Sequence, residues 1–276
     1  MIFDCSSKKG FLAAPVVFAV CVLALFVTWL VMEPSALRHA FDGASFGQDG
    51  RSTFELATIP FYAAIIPLVW WKCPFTGSRR RRILLCAAVS CVAFMAIVKQ
   101  LDWHLEVMKN LYPEFLRVNE ENNKVEVFGI VRSNGKMLTG TPFKMPFLTT
   151  GSVPFTAKLF VLFYFGALFG VFAALLAYYA VQLFKGFFRF HPVAWSVCFF
   201  GGSGVIAQVM DRLPAWYRHV IGKEELSKSE VVNSAFGAFC TCFEEGSEMI
   251  LAILALLAIL QAHAIYTRRI APHCDL

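Results

Sequence analysis

The sequence predicts an all-α fold: a six-span transmembrane helical bundle with a small outer-side segment that carries a β-hairpin. Three observations predict it. Hydrophobic side chains make up 58% of the 276 residues and charged ones only 16%, which is more apolar than a water-surrounded domain can hide in its core. The apolar residues fall in charge-free blocks of membrane-crossing length, and mean hydropathy is +0.61. The basic residues are sorted to alternate ends of those blocks. Such a composition excludes a disordered tail, a secreted disulfide mini-domain and a free cytosolic enzyme.

The first block, residues 11–32, has no charge and follows Lys8 and Lys9. Its length favours a retained anchor, because the apolar part of a cleaved signal peptide is shorter. The stretch around Ala36 keeps cleavage as the alternative reading. The second span, 54–71, contains Pro60 and Pro67; these bend it without forbidding it, because neighbouring helices cover the freed carbonyls. The third, fourth, fifth and sixth spans are 82–104, 157–184, 193–211 and 235–267. The whole chain, 1–276, reads as a single integral membrane domain with an extracytoplasmic insertion at 105–156.

Within that insertion, residues 105–116 either continue the third helix or lie along the surface. Residues 125–131 (VEVFGIV), then Asn134-Gly135 and residues 136–138, have the pattern of a hairpin with a tight turn. Residues 141–154, rich in Thr, Pro and Phe, read as a loop near the membrane. A two-stranded hairpin is marginal alone, so it needs helix ends or a partner to rest on.

Orientation follows from the charges. An N-terminus on the inner side and an even number of spans place Lys8, Lys9, Lys72, the arginines 79–82, Lys185, Arg189, Arg268 and Arg269 inside, with Asp4 and Asp275 as the only acids there. This satisfies the positive-inside rule and puts both termini in the cytoplasm. Trp70, Trp71 and Trp195 then fall at inner ends and Trp29, Trp103 and Trp216 at outer ends, as aromatic belts require. The arginine run is a topology anchor beside anionic lipid, so the net charge of +6 implies no nucleic-acid partner. The nine cysteines form no C-x-x-C pair and no disulfide framework. No N-x-S/T sequon occurs, which agrees with a bacterial inner (plasma) membrane.

The strongest signal is charge at the wrong depth. A crossing helix needs about 20 residues for roughly 30 Å of hydrocarbon. The charge-free runs 56–71, 83–98, 193–210 and 249–266 all fall short. Their inner ends are fixed by basic residues or Trp, so the outer ends draw Glu55, Lys99, Asp102, Asp211, Glu245 and Glu248 into the outer leaflet. Such groups are expensive facing lipid and turn inward to pair or to line water. Lys99 and Asp102 share a helix face, as do Glu244 and Glu248, with Glu245 rotated by about 100° from Glu244. Gly246 and Ser247 admit another helix at close range.

The expected site is therefore an outward-facing acidic and histidine pocket. Asp102, His104, Glu244, Glu245 and Glu248 are its candidate ligands for a cation or a divalent metal, with Glu55, Lys99 and Asp211 as charge partners. Asp, Glu and His suit Zn, Mn or Fe, but only His104 lies at the cluster's depth. His219 is remote, His191 and His263 belong inside, and no H-E-x-x-H occurs. Other readings stay open. A membrane-embedded metal-assisted hydrolase would use one carboxylate as general base, yet Ser203 and Ser247 sit in no nucleophile motif. Ion or solute passage fits intramembrane carboxylates but lacks matching inner polar residues. A structural or accessory subunit would use the charges only to order the bundle. Expected partners are the lipid bilayer and either a membrane protein or a second copy of the chain.

Overall fold

The computed structural model describes residues 10–41, 53–71, 73–75, 77–118, 125–131, 137–138, 142, 145–220 and 234–270. The helices are α1 (Ala13–Val31), α2 (Pro34–Phe41), α3 (Thr53–Trp71), α4 (Arg79–Gln100), α5 (Trp103–Leu111), α6 (Met145–Thr149), α7 (Phe155–Phe165), α8 (Val171–Phe188), α9 (Pro192–Val220) and α10 (Ala235–Ile270). A π-helical turn, Gly166–Gly170, joins α7 to α8 into one continuous run. Six runs, namely α1, α3, α4, α7–α8, α9 and α10, are long and apolar enough to cross a membrane. The all-α six-span class holds.

These spans are inside out by the standards of a water-soluble protein. Leu23, Val31, Phe163, Phe184 and Val205 are largely exposed, whereas Thr58, Gln100, Ser196, Ser203 and Ser247 are buried. Apolar side chains outside and small polar ones between helices is what lipid as solvent demands, because helices there gain from close packing and hydrogen bonds rather than from hiding hydrocarbon.

α10 is the central helix, lying along α9 and also against α3, α1 and α2. Gly246 makes the α1 contact: a Cβ there would overlap the Leu25 side chain. A Cβ at Gly204 of α9 would meet Leu251 at 3.4 Å, an ordinary contact distance. Further along the same pair, Ser196 donates to Gln261 Oε1 at 2.7 Å. The short α2 includes the stretch around Ala36; Leu37 and Phe41 are buried and Phe41 stacks on Phe54 at 3.9 Å.

α3 and α4 form an antiparallel hairpin. Ser78 caps α4 by accepting from the Arg81 amide, and Trp70 Nε1 donates to Ser90 Oγ at 2.9 Å. Pro60 and Pro67 lie inside α3 without ending it. The third span, expected over 82–104, is divided near its C-terminal end: α4 stops at Gln100 and α5 starts at Trp103. The break is Asp102, at φ 50°, a left-handed conformation that its short polar side chain tolerates.

The described residues between α5 and α7 pack on the helix ends. β1 (Leu116–Val118) pairs antiparallel with β2 (Val125–Val127), so the ladder partner lies upstream of the expected one. A single bridge, Val131 to Met137, remains downstream; the Asn134-Gly135 turn lies outside the described residues. One apolar cluster underlies both pairings: Leu116, Val125, Val127, Ile130 and Leu138 bury their side chains with Leu105, Met108, Phe115, Phe147, Val153 and Val161, which joins α5, the strands, α6 and α7. α6 occupies part of the stretch expected as loop.

Candidate functional site

The site forms where the C-terminal end of α4 meets the first half of α10. Lys99 lies in the last turn of α4 and reaches across to Glu248, with Nζ at 2.5 and 2.6 Å from the two carboxylate oxygens. Gln100 Nε2 donates a third bond to Glu248 Oε2 at 3.0 Å. The Lys99 side chain is 46% exposed and that of Glu248 21%, so the pair lies toward the protein surface rather than in a sealed core. Gln100 itself is buried, and its Oε1 has no hydrogen-bond partner among the described residues.

Two further carboxylates share this neighbourhood. Glu245 and Glu55 both act electrostatically on Lys99, and Glu245 in turn has Glu55, Glu248 and Glu244 within reach. The spacing explains the grouping: Glu245 and Glu248 are three residues apart on α10 and so share a face, while Glu55 sits in the first turn of α3, which packs on α10. Tyr62, two turns further along α3 and buried, is within electrostatic reach of Glu248. Glu244 sits on the flank of the cluster, near Cys240.

Asp102 and His104 form a shelf beside this group. His104 is buried, stacks on Tyr164 with ring centroids 4.7 Å apart, and places Nδ1 3.3 Å from the Val98 carbonyl. The tautomer with its proton on Nδ1 donates there. Burial pushes the imidazole below its ordinary value of 6.5, outweighing the upward pull of the Asp102 carboxylate and of that hydrogen bond, while Lys99 adds a smaller downward push. The ring is therefore neutral at pH 7. Tyr164 immediately precedes Phe165 and the π turn, a local widening that re-aims side chains and often accompanies functional sites.

Of the expected site residues, the structure brings Glu55, Lys99, Glu245 and Glu248 into one group, with Asp102 and His104 as its shelf and Glu244 at its flank. Asp211 is not among them. It lies exposed on α9, its carboxylate 3.3 Å from Arg212 Nε. The side chain of His219 lies outside the described residues. Among the described residues, no group of three or more His, Cys, Asp and Glu side chains is arranged to hold a metal ion. Sequence reasoning missed Gln100, Tyr62 and Tyr164. The amide next to Lys99 in an otherwise apolar helix was the available signal for Gln100; the two tyrosines gave none.

Fold and site together define a multi-pass α-helical membrane protein with an intrabundle charge cluster. Neither protein-family models, nor curated proteins, nor solved structures give a match to this chain.

Proposed function

We propose that this is a multi-pass protein of a bacterial inner membrane, both termini cytoplasmic, whose outward-facing acidic site binds a small hard cation. The observation that carries the reading is the arrangement around Lys99. Its ammonium is committed to Glu248 through two short bonds, while Glu245 stands among the carboxylates of Glu248, Glu55 and Glu244 with no hydrogen bond or ion pair of its own among the described residues. Acidic groups gathered at membrane depth call for positive charge. Gln100 Oε1, a buried carbonyl oxygen at the same cluster without a donor, adds a neutral ligand. Carboxylate and carbonyl oxygens suit hard cations rather than soft transition metals. The orientation is supported by the basic inner segments, and the placement of residues 105–156 outside follows from it.

A structural role is favoured by one observation of its own: the three bonds from Lys99 and Gln100 to Glu248 tie α4 to α10 whatever Glu245 does. The two readings separate by variant. The experiment is thermal unfolding of detergent-purified protein in sodium, potassium, magnesium, calcium or choline chloride at matched ionic strength, for the parent and Glu245→Gln. A bound cation at 100 times its Kd stabilises by about 2.7 kcal/mol. One cation should raise the parent's Tm above its value in choline, and Glu245→Gln should stay folded and lose that rise. Equal Tm values in all salts, or a full rise in the variant, would sink the cation reading and leave the charge network as bundle glue.

A further inference from the structure

At the opposite end of the α3–α4 hairpin two thiols touch. Cys73 lies in the connection after α3 and Cys86 in the second turn of α4, with their Sγ atoms 3.4 Å apart. Cys86 is 3% exposed and its thiol also reaches the Val69 carbonyl at 3.4 Å. Cys73 is half-buried, with its thiol 3.8 Å from the Phe75 carbonyl. Among the described residues these are the only two cysteines in contact with each other. The sequence places them on the inner side, beside the arginine run, where the surroundings are reducing and lasting disulfides are rare.

We propose that Cys73 and Cys86 form a two-electron thiol–disulfide modification site, closed by a small-molecule disulfide and reopened by a thiol. The asymmetry in burial assigns the order. Cys73, the accessible sulfur, attacks as thiolate one sulfur of the incoming disulfide; the S–S bond breaks, one thiol leaves, and Cys73 carries a mixed disulfide. Cys86 loses its proton and attacks the Cys73 sulfur, expelling the second thiol. Two protein thiols and one small disulfide become one protein disulfide and two small thiols, with protons and electrons balanced. Side-chain rotation closes the 3.4 Å gap to the bonded distance of about 2.05 Å.

Packing explains why this pair is distinct from the chain's other cysteines. Cys86 contributes to the same buried cluster as Val69, Phe75 and Leu85, so the connection is pinned against α4 with the two sulfurs already facing each other. Closing the bond fixes the exit of α3 to α4, the helix whose far end carries Lys99.

The test is peptide mapping of the full chain in mild detergent. Reduced, folded protein is treated with excess oxidised glutathione, quenched in acid, unfolded, alkylated and digested. The expected result is a Cys73–Cys86 linked peptide, its loss on adding dithiothreitol, and no glutathione remaining on Cys73. In Cys86→Ser, glutathione should persist on Cys73. In Cys73→Ser, Cys86 should remain fully alkylatable. A parent in which both cysteines are alkylated, or in which glutathione stays on Cys73, overturns the proposal. The parent alone decides it if either variant fails to fold.

Discussion

His104 shows how one side chain's surroundings fix its charge. It is held by a ring stack on Tyr164 and by the Val98 carbonyl, and its protonated form is disfavoured by burial. The unfolded chain takes up a proton at this ring near pH 6.5, whereas the folded chain does so only at lower pH. Above 6.5 the ring is neutral in both states and contributes no pH dependence. As pH falls through 6.5 the unfolded state binds more protons, and stability is lost until the lower folded value is passed. The parent's Tm should therefore drop more steeply between pH 7 and pH 5.5 than that of His104→Phe, which keeps the aromatic stack and removes the titration. Parallel slopes for the two proteins would mean that His104 titrates alike folded and unfolded. The same scale shows what single residues revealed in the sequence. Lys99, Glu245 and Glu248 were legible because full charges inside apolar runs are costly and must turn inward. Gln100 was not, since a neutral amide carries little signal until its partner across the bundle is known. Asp211 was drawn toward the site by a fifth span expected to end at 211; α9 runs on to Val220, and the carboxylate stays at its surface with Arg212.

Among the elements, α10 carries the most consequence because it touches both the site and α1. Gly246 lies between the two site glutamates in sequence but faces the other way, against Leu25. A methyl group at 246 gains about 1 kcal/mol of helix propensity and meets overpacking of about 1–3 kcal/mol. The overlap involves Leu25 Cγ as well as both terminal methyls, and Leu25 is 4% exposed, so there is little room to give. The crowding at Leu25 puts the change toward the upper end of the overpacking range, so Gly246→Ala should cost up to about 2 kcal/mol, the balance of those two terms. In a Leu25→Ala background the same change should become neutral or stabilising, a sign reversal that a double-mutant cycle of unfolding free energies reads directly. Cost in both backgrounds would mean that Gly246 matters for α10 itself and not for its contact with α1. This contact was readable from a glycine–serine pair in an apolar helix. The break at Asp102 and the π turn at Gly166–Gly170 were not, because an apolar run looks the same whether its backbone is α, π or interrupted once. The β1–β2 ladder was also out of reach: the Asn-Gly signal is local to the Val131–Met137 bridge, whereas Leu116 and Val127 pair over the apolar cluster they share with α5, α6 and α7.

At the scale of the whole molecule, lipid sets the rules, and those rules are written in composition, which is why the six spans could be read without any structure. The charge cluster and the thiol pair lie at opposite ends of the α3–α4 hairpin, so a single helix, α4, connects a group next to one aqueous phase with a group next to the other. The proposed orientation assigns the two phases from the arginines at the start of α4. Moving four such cations across a membrane is opposed by the bias that retains Lys and Arg in the cytoplasm. The orientation therefore predicts an asymmetric labelling pattern in intact cells expressing a cysteine-free chain with one cysteine introduced. Asn110→Cys, exposed on α5 in the outer segment, should react with a membrane-impermeant maleimide, while Ser78→Cys, at the capped start of α4, should react only after the cells are opened. The reverse pattern would invert the molecule. It would put the Lys99–Glu248 cluster against the cytoplasm and the Cys73–Cys86 pair in an oxidising compartment, where the same two sulfurs would stand as a permanent disulfide instead of a reversible one.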